Sequence, residues 1–342
     1  MIPPRPDGAG VRSVICVHGH FERSWPYTAD HWQRRWEERG GCELIRTDSG
    51  DAPARLVPDP GSVQRLVLLG FELRARDLDP FTALEECYVG QQHRSQEAVA
   101  SAEARGVCII PHRADVYWGQ TVAEYALALT ICGLRRIPQN HTAMQSSLAP
   151  WDYSPEAGAG RVRGSQFADD PQFCNGTVAG KRVRVVGVGN IGARYASWCA
   201  ALGADVAAWD PFAPDASFVA ARAARRFHVE ELVADAQIFV PMVPLTDSTR
   251  GLITAELIDA LPMHGLVVQV TRAAVCDTRA LYRRVLNDEL ALAADVFDAE
   301  PVPLDSPLIG RHNVAHTPHA AGRTRDANHA YADDVIARFR PR

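Results

Sequence analysis

Short runs of β-branched and other apolar residues recur along the chain. Each is followed by a glycine-rich or polar break, then by apolar positions three and four residues apart. Apolar runs without alternation suit strands covered on both faces, and the 3.6-residue spacing suits helices packed on them. In the first third, strands are expected at residues 14–17, 43–46, 65–69, 87–89 and 107–110, and helices at 28–38, 77–84 and 95–105. A longer apolar helix is expected at 121–134, stopped by Arg135, Arg136 and Pro138. Residues 146–178, rich in Gly, Pro, Ser and Asp, read as a long irregular arm of the kind that carries a role or reaches across an interface. Strands at 183–186, 206–209, 237–240, 266–270, 291–296 and 314–316 then resume the alternation, and residues 325–339 form an amphipathic helix. Strand and helix taking turns over 342 residues predict α/β architecture with parallel sheets in two domains.

The segment 183–210 is the most specific. A β-branched run enters Gly187-Val188-Gly189-Asn190-Ile191-Gly192, helical spacing follows through Tyr195 and Cys199, and a second strand ends at Asp210. In this strand–turn–helix–strand setting Gly187 permits the turn, Gly189 lets backbone approach a pyrophosphate, and Gly192 lets helix pack on strand. The helix N-terminus offers N–H groups to the phosphates, and Asp210 stands where a carboxylate accepts ribose hydroxyls. The expected cofactor is a dinucleotide. After Asp210 come Pro211, Phe212, Ala213 and Pro214, with no cation before Arg222, so NAD is favoured over NADP.

Apolar content of 46%, charged content of 23% and a net charge of −5 are ordinary for a globular protein and argue against a nucleic-acid surface. Eight cysteines without a C-x-x-C pair read as buried hydrophobes in a reducing compartment. No signal-peptide pattern and no apolar run near the roughly 18 residues of a membrane span are found, so the expected location is cytoplasmic, with no membrane partner. His18 and His20, in the loop expected after the first strand, lack further ligands at metal-binding spacing, and no metal is expected.

Three polar residues stand at strand ends in the second half: Arg272 after LVVQV, Glu300 after ALAADVFDA and His319 in NVAHTPHA. A guanidinium binds a carboxylate as a fork. An imidazole moves a proton near neutral pH, and a glutamate beside it fixes its tautomer. Each residue taken singly also fits a surface position, a helix cap or a turn. Together, TVAEYALAL, VGVGNIGARYA, WDPF, VPLTDSTRGLI, VTRAAVCDTRAL, ADVFDAEPVPLDSPL and NVAHTPHAAG, in that order, resemble the NAD-dependent D-isomer-specific 2-hydroxyacid dehydrogenases over residues 95–335.

The resemblance implies a Rossmann-type domain at 116–315 inserted in a flavodoxin-like substrate domain made of 1–115 and 316–342. It assigns catalysis to Arg272, Glu300 and His319. It places cofactor contacts at Gly187, Gly189, Asn190, Ile191, Gly192, Asp210, Val243, Pro244, Thr249, Val270, Arg272, Asp295 and His319, with Asp295 toward the nicotinamide amide. Substrate contacts fall on Gly90, Gln91, Arg94 and Arg272. The implied reaction interconverts a 2-oxoacid and a D-2-hydroxyacid. The implied assembly, which helix 121–134 and arm 146–178 also suggest, is a homodimer joined through the cofactor domain.

The chain departs from the family in having Gln269 and Ala273 where asparagine and glycine are usual. Its substrate loop, Gly90-Gln91-Gln92-His93-Arg94, has Gln92 for the second glycine and a cation where an acid is usual. With Arg23 and Arg74 at other strand ends, that cation suggests a substrate bearing a second anionic group, such as a phosphonate or distal carboxylate. Two other readings stay open: a dehydrogenase of another small anion (formate or phosphite type), and an NAD-sensing binding protein like the corepressors of this fold.

Overall fold

The computed structural model describes residues 11–38, 40–90, 94–111, 117–151, 170 and 172–340. Along the chain run β1 (Ser13–His18), α1 (Gly19–Ser24), α2 (Thr28–Glu37), β2 (Glu43–Thr47), α3 (Pro53–Leu56), β3 (Arg65–Leu69), β4 (Glu86–Val89), α4 (Gln96–Ala104) and β5 (Cys108–Ile110). Next come α5 (Trp118–Arg135), α6 (Ile137–Met144), β6 (Arg182–Val186), α7 (Asn190–Ala201), β7 (Asp205–Trp209), α8 (Asp215–Ala220), β8 (Ala224–Arg226) and α9 (Val229–Val233). The remainder is β9 (Ile238–Pro241), α10 (Ala255–Asp259), β10 (Leu266–Gln269), α11 (Thr278–Leu286), β11 (Ala291–Ala294), β12 (Val314–His316) and α12 (Arg325–Ile336). Packing separates two units, Met1–Trp118 with Arg323–Arg342, and Gly119–Gly322.

In the first unit the described strands form a parallel sheet of order β2-β1-β3-β4-β5, the flavodoxin-like order. Every residue of β3 is buried because both faces are covered. Val14, Cys16, Leu66 and Leu68 face Phe81 and Leu84, while Ile15, Val17, Val67 and Leu69 face Trp32, Trp36, Tyr331 and Phe339. Period-two alternation between two apolar layers explains why these strands read as unbroken runs. The helix α12 docks on α2, where Thr28 Oγ1 donates to Asn328 Oδ1 at 3.1 Å and the Trp36 and Phe339 rings meet edge-on at 5.1 Å.

Two expectations for this half fail. Residues 77–84 form successive turns rather than a helix: the N–H groups of Asp77, Phe81 and Leu84 reach carbonyls three residues back, and buried Leu78, Phe81 and Leu84 follow that spacing. Pro80 has no N–H and its ring would crowd a helical carbonyl, so a regular helix cannot run through it. The segment after β1, expected as a loop, coils into α1, whose start is closed by His18 Nδ1 accepting the His20 N–H at 3.2 Å.

The second unit holds a parallel sheet of order β12-β11-β10-β9-β6-β7-β8. Strand order reverses between β6 and β9, the switch point of a doubly wound Rossmann-type sheet, where ligands bind beyond the strand ends. Its core layer joins Val186, Phe239, Val267, Leu292 and Val314 to Ile253, Leu281 and Val285. Arg184 is the buried charge inside β6. It is 1% exposed, and its guanidinium reaches Asp235 at 2.6 Å and Asp205 at 3.1 Å. The hydrogen bond from Arg184 holds the Asp235 carboxyl below its ordinary range. Among the described residues no helix is long and apolar enough to cross a membrane.

Candidate active site

The turn from β6 into α7 places the glycine motif at the switch point. Gly187 has φ +93°, which only glycine adopts freely, and a Cβ on Gly192 would stand 2.0 Å from the Gly187 carbonyl oxygen. A Cβ on Gly189 would meet nothing within 4 Å, so the turn is open on that side. Gly189 is also the N-cap of the twelve-residue α7 and supplies no side-chain cap, leaving first-turn N–H groups for an anion. An open backbone cradle on a helix start fits a pyrophosphate. Ile191 is half-buried beside it. The Asn190 side chain turns away: its Nδ2 lies 2.1 Å from where a Cβ on Gly119 would stand, so it fills the notch of that glycine on α5.

Asp210 closes the turn from β7. Its Oδ2 accepts the Val188 N–H at 3.0 Å, and its Oδ1 accepts those of Phe212 and Ala213 at 3.0 Å each. Of the cations that follow, Arg225 is paired with Asp215 and lies over the Phe218 and Phe227 rings at 4.8 and 5.1 Å. Arg222 is exposed at a positive φ of 53°. Arg225 is thus engaged by a carboxylate and two rings, and the carboxylate of Asp210 at the strand end favours NAD over NADP. Across the turn, Val243 packs on Gly187, and Thr249 Oγ1 donates to the Pro244 carbonyl at 2.5 Å while accepting the Thr246 N–H at 2.8 Å. Val270 is buried after β10.

Arg272, Glu300 and His319 line one hollow of about 260 Å³ with Leu245, Ala273, Ala274, Val296, Phe297 and Asp298. Strand β10 delivers Arg272, whose Nη1 donates to the Thr271 carbonyl at 2.7 Å. His319 Nδ1 and Glu300 Oε2 are 2.6 Å apart, and Glu300 Oε1 accepts the Phe297 N–H at 2.9 Å. Burial alone would raise the Glu300 carboxyl. The His319 hydrogen bond, the Phe297 N–H and the nearby His319 and Arg272 charges outweigh it and hold the group below its ordinary range. With Nδ1 bound to the carboxylate, Nε2 is the nitrogen left for a reacting group.

His319 has φ +55°, a left-handed backbone that costs a side-chain-bearing residue roughly 1 kcal/mol or more. Asp295, fully buried at the end of β11, holds that loop: Oδ1 accepts from Thr317 Oγ1 at 2.6 Å and Ala320 N at 3.0 Å, and Oδ2 from Ala321 N at 2.8 Å. Sequence reasoning had assigned Asp295 only to the nicotinamide, and it missed Phe297, Asp298 and Leu245 as lining residues.

In the first unit, Gly90 follows β4, and Arg94 pairs backbone with Leu73 and has no ion-pair partner among the described residues. Arg23 lies 3.9 Å from Asp48, and the Arg74 N–H is accepted by Asp77. Gln91, Gln92 and His93 lie outside the described residues, as do 152–169 and 171 of the predicted arm. Among the described residues no cluster of His, Cys, Asp and Glu could hold a metal.

Residues 155–321 match the NAD binding domain of D-isomer specific 2-hydroxyacid dehydrogenases. A D-3-phosphoglycerate dehydrogenase of Archaeoglobus fulgidus is 29% identical over 237 residues, covering 67% of this chain and 40% of that protein. A glyoxylate reductase of Korarchaeum cryptofilum is 27% identical over 218 residues, covering 63% and 60%. The match thus takes in about two-fifths of the length of the phosphoglycerate dehydrogenases. The fold is shared with the NAD-complexed D-isomer specific 2-hydroxyacid dehydrogenase of Lactobacillus delbrueckii ssp. bulgaricus, with a TM-score of 0.68, 17% identity and 95% of each chain covered. The glycine cradle and the matched domain make NAD the cofactor, and residues 155–321 belong with the NAD binding domains of the D-isomer specific 2-hydroxyacid dehydrogenase family.

Proposed function

We propose that the protein is an NAD(H)-dependent oxidoreductase interconverting a 2-oxoacid and a D-2-hydroxyacid, with Arg272, Glu300 and His319 as its catalytic residues. The observation that carries this reading is the 2.6 Å Glu300–His319 contact in the hollow that Arg272 also lines. Arg272 grips the substrate carboxylate and draws electron density from the 2-oxo group. NADH, when bound, supplies the hydride to the 2-oxo carbon. His319 gives its Nε2 proton to the oxygen as charge develops there. Glu300 keeps the other proton on Nδ1, so the ring is left in one tautomer and returns to the charged form by taking a proton at Nε2. Phe297 N–H holds the carboxylate in line with the imidazole.

The glycine turn, with Asn190 and Ile191 through their backbone, takes the pyrophosphate, and Asp210 takes ribose hydroxyls. Val243, Pro244, Thr249, Val270 and Asp295 complete the cofactor's surroundings. The first unit acts as the substrate domain, with Gly90 and Arg94 among its recognition groups. Its cations suit a substrate with a second anionic group, a phosphonate or a distal carboxylate. The test is oxidation of NADH with a panel of 2-oxoacids that includes glyoxylate, pyruvate, oxaloacetate and phosphonopyruvate. Turnover on at least one member, reduced about a hundredfold or more in His319→Gln, is expected. No turnover on any of them, with NADH bound, overturns the proposal.

A further inference from the structure

Gln269 is a fully buried carboxamide on β10, between β9 and β11, and the proposed chemistry gives it no task. The other residues of β10, Leu266, Val267 and Val268, are aliphatic, and a fourth would be buried there at no polar cost. The amide is aimed instead at the turn that follows Arg272. Its Nε2 donates to the Ala273 carbonyl at 3.4 Å, so the two positions at which this loop departs from the family are in contact. Burial pushes the Cys276 thiol at the end of the same turn up to about 12, and its hydrogen bond with Gln269 pulls the other way. The Gln269 Oε1 takes no donor among the described residues. A buried amide oxygen left unpaired is costly, so what the side chain offers the site is its NH₂.

Arg272 is exposed and its guanidinium bonds back to the Thr271 carbonyl at 2.7 Å, so the direction of its fork depends on the backbone to either side. On the near side Thr271 Oγ1 donates to the Pro241 carbonyl at the end of β9, at 3.2 Å. On the far side Arg272 is the N-cap of a short 3₁₀ turn, Ala273–Val275, and gives that turn no side-chain cap. The outer edge of the turn is held by the Gly251 and Ile253 N–H groups, which donate to the Ala274 and Val275 carbonyls at 2.9 and 3.0 Å. Its first residue is held from inside by Gln269. The Gln269 carbonyl meanwhile accepts the Asp295 N–H at 2.8 Å. One residue therefore ties the turn of the arginine to the strand end whose aspartate anchors the histidine loop.

We propose that Gln269 is a positioning residue, which aims the Arg272 guanidinium at the substrate carboxylate by bracing the Ala273 carbonyl. This rests on the hydride-transfer reading and deepens it. Gln269→Met keeps the length of the side chain without its donors, and Gln269→Leu is the second variant where the first does not fold. Loss of the brace is expected to raise KM for the 2-oxoacid about tenfold and to leave KM for NADH within about twofold. In an Arg272→Lys background, where no fork is left to aim, the same substitution should change KM by less than about twofold. An unchanged KM for the 2-oxoacid, an equal rise in both KM values, a tenfold loss that persists beside Arg272→Lys, or failure of both variants to fold overturns the inference and leaves the hydride-transfer reading standing. Oxalate titrated into the enzyme–NADH complex, read by nicotinamide fluorescence, measures the same cycle without turnover. If the wild type reduces no 2-oxoacid, the hydride-transfer reading falls and oxalate decides. Affinity about tenfold weaker in Gln269→Met, but not beside Arg272→Lys, supports the brace. Equal affinities, or no oxalate bound by the wild type, overturn it.

Discussion

Replacing Asp295 by asparagine tests how the strained histidine loop is held. The side chain is fully buried and its two oxygens take three donors, the Thr317 hydroxyl and the Ala320 and Ala321 N–H groups. Asparagine has nearly the same shape but only one acceptor oxygen. If its oxygen stays toward Thr317 and Ala320, its NH₂ faces the Ala321 N–H, donor against donor. The flipped amide leaves the Ala320 N–H without an acceptor instead. Hydrogen bonds to a charged acceptor are worth about 1.5–3 kcal/mol, and a buried donor left unpaired costs about 1–3 kcal/mol. Since Thr317 can rotate to become an acceptor, the lower part of the sum applies, and Asp295→Asn is expected to lose about 2–4 kcal/mol in urea unfolding. The backbone at His319, released from φ +55°, relaxes and moves the imidazole relative to Glu300. A displacement of about 1 Å costs about a hundredfold in rate. Thr317→Val removes one bond, leaves Asp295 both N–H groups, and is expected to cost about 1.5–3 kcal/mol. Unfolding within about 0.5 kcal/mol of wild type together with unchanged kcat in Asp295→Asn would refute the anchoring role.

Gly192→Ala places a methyl 2.0 Å from the Gly187 carbonyl oxygen and is expected to cost about 2–3 kcal/mol and most of the NADH affinity, read by thermal melts and cofactor fluorescence. Asp210→Ala frees the Val188, Phe212 and Ala213 N–H groups; kcat/KM with NADH should fall and the NADH-to-NADPH ratio narrow, and a ratio unchanged from wild type contradicts the assignment of Asp210 to the ribose. The exposed Ile137, Met144, Leu148 and Trp151 on and after α6 lead us to expect a homodimer through the second unit, which a monomeric mass in light scattering at micromolar concentration would contradict. His329 stacks on His31 at 4.1 Å between α12 and α2, and burial, then His31, Arg34 and Arg325, lower its pKa from 6.5 against the opposing pull of Asp333. The unfolded chain therefore binds the proton first, so stability should decline as pH falls below about 6.5, and His329→Gln should flatten that part of the curve in pH-dependent urea melts.

What the sequence made legible is what depends on local pattern. The unbroken run of β3 reads as a doubly covered strand because neighbours of either parity meet an apolar layer. The glycine motif reads correctly because Gly187 and Gly192 answer to contacts within a few residues and one adjacent loop. Residues 77–84 misled because Leu78, Phe81 and Leu84 satisfy a helical count nearly as well as a three-residue one, and only the missing N–H of Pro80 separates the two. Asp295 was harder for a different reason. Its partners, Thr317, Ala320 and Ala321, lie on the loop of another strand, so what the side chain does is fixed by strand register and not by its neighbours in sequence. A carboxylate one strand over from a strained histidine is a contact that only the β11–β12 pairing creates, with Ala294 set against His316. In the proposed active site the sequence thus discloses the groups that meet the substrate, while the groups that hold them in place emerge from the packing of the sheet.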